Sequence, residues 1–480
     1  MKTFLRICTG ALVLAASAPG VLKAQTATKK VQNFFNVIAP DSADPWVFRH
    51  SDGLYYWVHS ARGRIELLRS ATLAGLDAGE SKVAWTPEPS GPASKELWAP
   101  ELHHLKDKWY IYVAADDGDN AHHKMYVLEN GSKNPFEGTF QLKGQLKVPD
   151  EDRWAIDGTA LEVNDRLYFV WSGWEGFENV SQNLYIAPMS DPTTISGPRV
   201  LISKPEREWE KQGGSPLINE GPEAIVRNGR VFLVYSASGS WSDFYCLGML
   251  TAKTDADLLS PKSWTKSPEP VFQSGHGVIA PGHASFTKSP DGQQDWIVYH
   301  TARFPGAGWT RLVRTQPFSW TTDGQPDFGA PVPSNQPIPL PSGEPSRWRV
   351  EAESGKVLGQ ARVAPEEEAS AGSKVGFLDD PQSGVSLEVE VPSAGVYGLA
   401  IRYDNGTEGN RHATHLLSVN GGNPEKVVYP FTQWKQWSNA FTRVPLKKGR
   451  NLLTFRQQEG FAEIDCVDLW VESDAKNQAK

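Results

Sequence analysis

A short motif, a turn followed by a strand rich in aromatic and β-branched residues, occurs five times in the first two thirds of this 480-residue chain. A period near 60 residues leaves room for about four short strands with their loops, which is one blade of a β-propeller. The repeat therefore predicts an all-β chain with a five-bladed β-propeller over residues 30–330; the alternative is an irregular β-sandwich with chance similarity. The five anchor positions, spaced 55, 58, 64 and 64 residues apart, are Tyr55, Tyr110, Tyr168, Phe232 and Trp296.

The amino-acid composition changes after the fifth copy of the motif. Residues 331–348 are rich in proline, which predicts a semi-rigid linker. Beyond it, alternating apolar and polar residues at 385–391 and 397–403 indicate strands with one buried face. We therefore predict a second domain, a β-sandwich of the jelly-roll type, over residues 349–473.

Residues 1–24 have the form of a signal peptide: Lys2 and Arg6 precede an apolar run that is too short to span a bilayer, and a plausible cleavage site follows at Ala24. We therefore expect a secreted or periplasmic protein with no membrane association after cleavage. Cleavage removes three basic and no acidic residues, so 45 basic side chains face 56 acidic ones, a net charge of −11. An acidic exported protein is a poor candidate for binding nucleic acid. The two remaining cysteines indicate no disulfide framework.

One ionisable residue precedes each anchor by 9 to 13 positions and is flanked by glycine, proline or alanine. Equivalent positions of successive blades converge on the propeller axis, so we expect these side chains to meet in one pocket. Any one of them alone would be better explained as an acid capping a turn. Five at similar offsets favour a site, and they are Asp44, Glu101, Asp157, Glu220 and His283.

Several carboxyl groups around a pocket suit glycoside hydrolysis, in which one carboxylic acid protonates the leaving oxygen and one carboxylate activates water. A third carboxylate can help to set the pKa of the acid by repulsion between like charges. Four tryptophans near these acids are either sugar-stacking platforms or blade packing. They are Trp98, Trp154, Trp174 and Trp241.

At these residues, over about 36–330, the chain resembles glycoside hydrolase family 43, whose members invert the anomeric configuration. The resemblance implies that Asp44, before a proline, is the general base. It also implies that Asp157, in Ile-Asp-Gly, tunes the pKa of the acid, and that Glu220, in Glu-Gly-Pro, is the general acid. His283 matches an axial histidine that holds a metal ion or water, and Arg303 resembles a substrate-contacting arginine whose alternative is a surface salt bridge. Within the family, the strings at 219–222 and 245–248 are most similar to α-L-arabinofuranosidases, with β-xylosidase as the alternative.

The C-terminal segment resembles carbohydrate-binding modules of families 6 and 35. That resemblance implies a structural calcium, for which carboxylate oxygens are suitable ligands. The matching ligands are Glu351, Glu353 and Asp465, and the candidate sugar platforms are Tyr403, Trp434 and Trp437. A plain sandwich without a ligand site is the alternative.

The sequence thus predicts an enzyme that releases α-L-arabinofuranosyl residues from plant cell-wall arabinan or arabinoxylan and uses no organic cofactor. Two other classes of function are a non-catalytic sugar-binding propeller and a protein-interaction propeller. The set of Asp44, Asp157 and Glu220 argues against both, because buried carboxylates are costly unless they are used or paired.

Overall fold

The computed structural model describes residues 28–149 and 151–472, so the predicted signal peptide lies outside the described residues. Secondary structure in this part of the chain consists of β-strands and short 3₁₀ turns. No helix there is long and apolar enough to cross a membrane. Two short strands precede the blades, β1 (Lys29–Val31) and β2 (Asn33–Phe34).

Five antiparallel meanders follow between residues 46 and 327, and they are the five blades that the repeat predicts. Blade 1 contains β3 (Trp46–Arg49), β4 (Tyr55–Ala61), β5 (Arg64–Ser70) and β6 (Glu80–Trp85). Blade 2 contains β7 (Lys95–Leu105), β8 (Lys108–Asp116), β9 (Lys124–Asn130) and β10 (Gln141–Gln145). Blade 3 contains β11 (Ala155–Val163), β12 (Arg166–Trp174), β13 (Ser181–Asp191), β14 (Thr194–Ile195) and β15 (Val200–Ser203). Blade 4 contains β16 (Leu217–Arg227), β17 (Arg230–Ala237), β18 (Cys246–Lys253) and β19 (Thr265–Lys266). Blade 5 contains β20 (Ile279–Lys288), β21 (Asp295–Ala302), β22 (Arg311–Trp320) and β23 (Pro326–Asp327).

The repeated motif is the hairpin that joins the first and second strands of a blade. Its two turn residues both have positive φ in three blades, as in Asn228 (50°) and Gly229 (73°) before β17. Such a pair matches the type I′ turn, whose twist fits that of the flanking strands. Every anchor aromatic lies on the second strand, where it is buried between neighbouring blades.

A separate hydrophobic cluster fills the space between each pair of neighbouring blades, the fifth and first included. The ring is closed near its start, where Ala39 forms an antiparallel bridge with Val313 of β22. The backbone NH of Val47 also donates to Ser285 Oγ of blade 5 at 3.2 Å. These contacts hold the inner strands around one axis.

The C-terminal domain is a sandwich of two antiparallel sheets of seven and five strands, as predicted. The strand β24 (Ile338–Pro339) precedes this domain. The seven-stranded sheet contains β1 and six strands of the C-terminal domain. Those strands are β25 (Arg347–Glu351), β27 (Arg362–Pro365), β28 (Ser373–Gly376), β30 (Gly395–Asn405), β33 (Gln433–Leu446) and β35 (Ala462–Val471). The other sheet contains β26 (Lys356–Leu358), β29 (Gly384–Val391), β31 (Ala413–Val419), β32 (Glu425–Tyr429) and β34 (Gly449–Glu459).

The proline-rich segment is packed between the two domains rather than extended as a spacer. Its strand β24 pairs with β2, and β1 pairs with β25 of the sandwich. Asn439 of the sandwich donates to the carbonyl oxygens of Phe35 and Val37 at 2.8 and 2.9 Å. The residues before the propeller therefore help to hold the sandwich, which sequence periodicity did not predict because these pairings join segments more than 300 residues apart.

Candidate active site

In blades 2 to 5 the first strand departs from regular β-geometry at one residue, and in blade 1 the corresponding residue lies two positions before β3. This residue has a positive φ, between 41° and 54°, and in four blades the pairing with the second strand shifts register around it. A bulge of this kind bends a strand and re-aims a side chain. The five residues are Asp44, Ala99, Asp157, Gly221 and His283.

A cavity of about 730 Å³ opens beside these residues. The predicted catalytic acids Asp44, Asp157 and Glu220 line it together with His283. Asp157 and Glu220 are only 4% and 7% exposed, so these two carboxyl groups lie at the buried end of the cavity, whereas the side chain of Asp44 is 28% exposed.

Asp44 is surrounded by nitrogen atoms. Its Oδ1 lies 3.2 Å from His283 Nδ1 and 3.4 Å from Arg311 Nη1, and its backbone NH donates to His300 Nδ1 at 3.1 Å. Burial alone would raise the pKa of Asp44, but His283, His300 and Arg311 outweigh it and hold the pKa well below its usual value. Asp44 is therefore ionised at neutral pH, as a general base must be.

Glu220 has the opposite environment. Burial raises the pKa of Glu220 to about 7, although Tyr245 and Arg311 oppose this rise. The hydroxyl of Tyr245 donates to Glu220 Oε1 at 2.8 Å. One carboxyl oxygen is thus occupied as an acceptor, which leaves the other to carry the proton of a general acid.

Asp157 contacts the strand that carries the acid. Its Oδ2 accepts a hydrogen bond from the backbone NH of Gly221 at 3.0 Å, so it positions the peptide next to Glu220. Burial and the charge of Glu220 raise the pKa of Asp157 well above its usual value. Asp157 thus contacts the strand of the acid and is affected by its charge, and its role in tuning the pKa of Glu220 stays a prediction.

His283 lies between two carboxyl groups of the cavity, those of Asp44 and Asp157. Besides its contact with Asp44, its Nδ1 lies 3.9 Å from Asp157 Oδ2. Burial lowers its pKa. The ring therefore supports the position of Asp44, and a role in holding a metal ion or water at the axis stays a prediction.

Glu101 is not in the cavity, contrary to prediction. It lies two residues after Ala99, the residue of blade 2 that occupies the bulge, so its side chain is one layer further along the axis. It is 4% exposed, and its Oε2 lies 2.9 Å from His103 Nε2. Its offset of nine residues from Tyr110, against eleven in blades 1 and 3, was the sequence signal for this difference.

Three of the four tryptophans line the cavity: Trp98, Trp154 and Trp241. Trp98 stacks on the buried ring of His123, with centroids 3.9 Å apart. Trp174 was predicted to contact substrate, but it is 4% exposed and stacks behind Trp154 at 4.8 Å. It supports the cavity wall from inside the blade.

Arg303 was also assigned to the substrate, and the structure places it elsewhere. It forms an ion pair with Asp41 and donates to the carbonyl oxygens of Pro40 and Arg311 at 2.9 and 3.2 Å. The arginine of the cavity is Arg311, at the start of β22. Sequence reasoning missed it because only the return of the third strand to the cavity brings it beside Asp44.

The structure separates the three predicted sugar platforms of the sandwich. Tyr403 is fully buried with its hydroxyl bonded to the carbonyl of Pro430, and Trp437 is 4% exposed beneath Lys374 and Arg402. Neither ring can stack on a ligand in this position. Trp434 is 46% exposed and remains available.

Two of the three predicted calcium ligands, Glu351 and Asp465, lie in one group with the thiol of Cys466, and Glu353 is outside that group. Glu351 and Asp465 offer carboxylate oxygens within 4.8 Å of each other. Glu353 Oε2 is buried without a hydrogen-bond partner, and burial raises the pKa of both Glu351 and Glu353. Arg402 pairs with Asp465, and the charge of Arg349 opposes the rise in the pKa of Glu351 that burial causes. Carboxylate oxygens are suitable ligands for a hard cation.

Comparison with known proteins gives matches along the propeller. The model of the family described as glycosyl hydrolases family 43 matches residues 35–326. The chain is 41% identical over 310 residues to an extracellular exo-α-(1→5)-L-arabinofuranosidase of Streptomyces avermitilis, covering 62% of this chain and 64% of that relative. It is 39% identical to α-L-arabinofuranosidase 43 of Humicola insolens, covering 64% and 65%. The chain thus spans slightly less than two thirds of the length of these relatives.

Among solved structures, the chain is similar to an α-L-arabinofuranosidase from Lactobacillus brevis, with 39% identity, a TM-score of 0.59, and coverage of 63% of this chain and 98% of that one. An exo-β-1,3-galactanase from Phanerochaete chrysosporium covers 92% of this chain and 100% of its own, at 16% identity and a TM-score of 0.51. The second likeness concerns the fold alone and extends over both domains.

Proposed function

This chain belongs to glycosyl hydrolases family 43, and on that basis we propose that it is an exported, exo-acting α-L-arabinofuranosidase of plant cell-wall arabinan or arabinoxylan. The observation that carries the proposal is the pair of carboxyl groups with opposite pKa shifts in one cavity: Asp44 below its usual range and Glu220 at about 7. Opposed protonation states are the requirement for an acid and a base acting on the same bond.

In this reaction Glu220 protonates the glycosidic oxygen while Asp44 removes a proton from the attacking water. Inversion of the anomeric carbon requires the water to fit between the two groups, which are then roughly 6.5–9.5 Å apart. Arg311 keeps Asp44 ionised until it accepts this proton, and Tyr245 holds the orientation of the acid. The names of the relatives from Streptomyces avermitilis and Humicola insolens support arabinose as the sugar.

The location of the carboxyl groups supports attack at a chain end. Glu220 and Asp157 lie at the buried end of the cavity, which suits entry of a terminal sugar with the rest of the chain at the mouth. Export is supported by the form of residues 1–24 and by the extracellular relative.

Release of arabinose from 4-nitrophenyl α-L-arabinofuranoside, linear arabinan and arabinoxylan tests the proposed function. We expect arabinose as the product, measured by anion-exchange chromatography, with an inverted anomer first in proton NMR. Release of xylose without arabinose would favour the β-xylosidase alternative. Binding of these sugars without hydrolysis would favour a non-catalytic propeller.

For the sandwich we propose carbohydrate binding at Trp434. Gly406 lies directly beneath its indole, where a Cβ atom would approach within 2.1 Å of the ring, so the ring lies flat on the backbone. Lys374 lies 6.0 Å from the ring centroid and contacts Asp404 at 3.3 Å, and Asp404 Oδ1 is buried without a hydrogen-bond partner. A flat ring beside polar groups suits a sugar. Retention on insoluble arabinoxylan, compared between the wild-type protein and Trp434→Ala, measures this binding.

We also propose that Glu351, Glu353 and Asp465 hold a structural calcium ion. Because a ligand that binds only the folded state raises stability, excess calcium should raise the melting temperature of the full chain, and a chelator should lower it. The Glu353→Gln variant should lose most of this response, whereas Glu425→Gln, which changes an exposed acid of the five-stranded sheet, should keep it. An equal melting temperature with calcium and with chelator would contradict the proposal.

A further inference from the structure

Trp309, one of the most exposed apolar side chains of the described residues, lies at the cavity. The four most exposed large hydrophobic residues in the described part of the chain are Phe177, Val180, Trp309 and Phe244, at 75%, 69%, 68% and 59%. Phe177 and Val180 flank Asn179, which lines the cavity, and Trp309 lines it directly. Single exposed apolar residues are ordinary, but a large aromatic ring that lines a cavity is a candidate binding surface.

Trp309 is held in place although its ring is exposed. Its Nε1 donates to Ser240 Oγ at 3.2 Å, and its ring meets that of Trp241 edge-on with centroids 6.4 Å apart. The loop that carries Trp309 is closed by a hydrogen bond of 3.0 Å from the backbone NH of Arg303 to the carbonyl oxygen of Thr310. The NH of Gly306 in the same loop donates to the carboxylate of Asp243 at 2.9 Å. A fixed, exposed indole offers a flat surface at little entropic cost.

The same contacts connect this ring to the reacting groups. The carbonyl of Ser240 accepts from Arg311 Nη2 at 2.8 Å, and Arg311 Nη1 lies 3.4 Å from Asp44. Trp309 therefore has a fixed position relative to the bond that is cleaved. Since two of the carboxyl groups lie at the buried end of the cavity, a ring at the mouth is on the side of the departing chain.

We propose that Trp309 is the stacking platform of a leaving-group subsite that binds the next sugars of a polysaccharide chain, and that it makes the enzyme selective for chains over isolated arabinosides. The inference rests on the proposed function and adds to it the class of substrate. The apolar face of a sugar ring packs on the indole, while the hydroxyl groups remain in water. Binding at a distance from the cleaved bond can then be used to lower the barrier.

The test compares kcat/KM on linear α-1,5-arabino-oligosaccharides of two to six units with that on 4-nitrophenyl α-L-arabinofuranoside. In the wild type we expect kcat/KM to rise with chain length. Trp309→Ala should remove most of that rise, by about tenfold for the longest chain, the size of one aromatic stacking contact. Trp309→Phe should restore part of it because a flat ring is kept.

Val226→Ala is the matched control, because Val226 is 48% exposed and lies about 20 Å along β16 from Glu220. It should retain the dependence on chain length. A wild type without that dependence, or a Trp309→Ala variant that keeps all of it while still cleaving the aryl arabinoside, would overturn the subsite and leave the proposed function standing. A wild type that cleaves neither substrate would overturn both.

Discussion

Replacing Asp44 by asparagine is expected to lower kcat by about 10²–10⁴-fold on every substrate, the usual contribution of a general base. Activation of water is needed whatever group departs, so the loss should be equal for 4-nitrophenyl arabinoside and for arabino-oligosaccharides. The contacts of Asp44 with His283 and Arg311 make it the ionised carboxylate of the cavity, and asparagine keeps the shape but removes the charge.

Steady-state kinetics on both substrates measures this loss, with a melting curve to show that the variant is folded. The control is Asp41→Asn, since Asp41 is an exposed neighbour that pairs with Arg303 outside the cavity. Its kcat should remain close to that of the wild type. A loss for Asp44→Asn that grows as the leaving group becomes poorer would contradict its assignment as the base.

Replacing Glu220 by glutamine should give the opposite dependence on the leaving group. A loss of about 10²–10⁴-fold is expected on arabino-oligosaccharides, whose leaving alcohol needs a proton. Little loss is expected on 2,4-dinitrophenyl arabinoside, whose leaving group departs without one. Equal losses on the two substrates would be evidence against Glu220 as the proton donor.

The pH profile gives an independent measure of the same residue. An acid is active while protonated, so activity on oligosaccharides should fall as the pH rises through about 7, the pKa of buried Glu220. Asp157→Asn removes the carboxyl group that accepts a hydrogen bond from the NH of Gly221 beside Glu220, and it should lower the rate. Tyr245→Phe removes a hydrogen bond that lowers the pKa of Glu220 and should move the limb to higher pH.

The five blades could be predicted because each repeat is determined by local interactions. A turn such as Asn228-Gly229 needs positive φ at two residues, and the strand after it needs aromatic and β-branched side chains. The acids Asp44, Asp157 and Glu220 could be located because the count of residues back from the anchor sets the position along the first strand. The same rule failed for Glu101, where an offset two residues shorter moved the side chain to the next layer.

The sequence by itself therefore determined the repeat, the fold class and the three acids, all of which depend on short spacings along the chain. Only the tertiary structure decided which large aromatic side chains are buried and which are exposed. Trp174, Tyr403 and Trp437 are buried in the packing of their domains, whereas Trp309 and Trp434 are exposed. The residue types alone do not distinguish the two groups. The partners of the acids, Arg311 and Tyr245, come from other strands. They are brought to the axis by closure of the propeller, which depends on contacts between residues hundreds of positions apart.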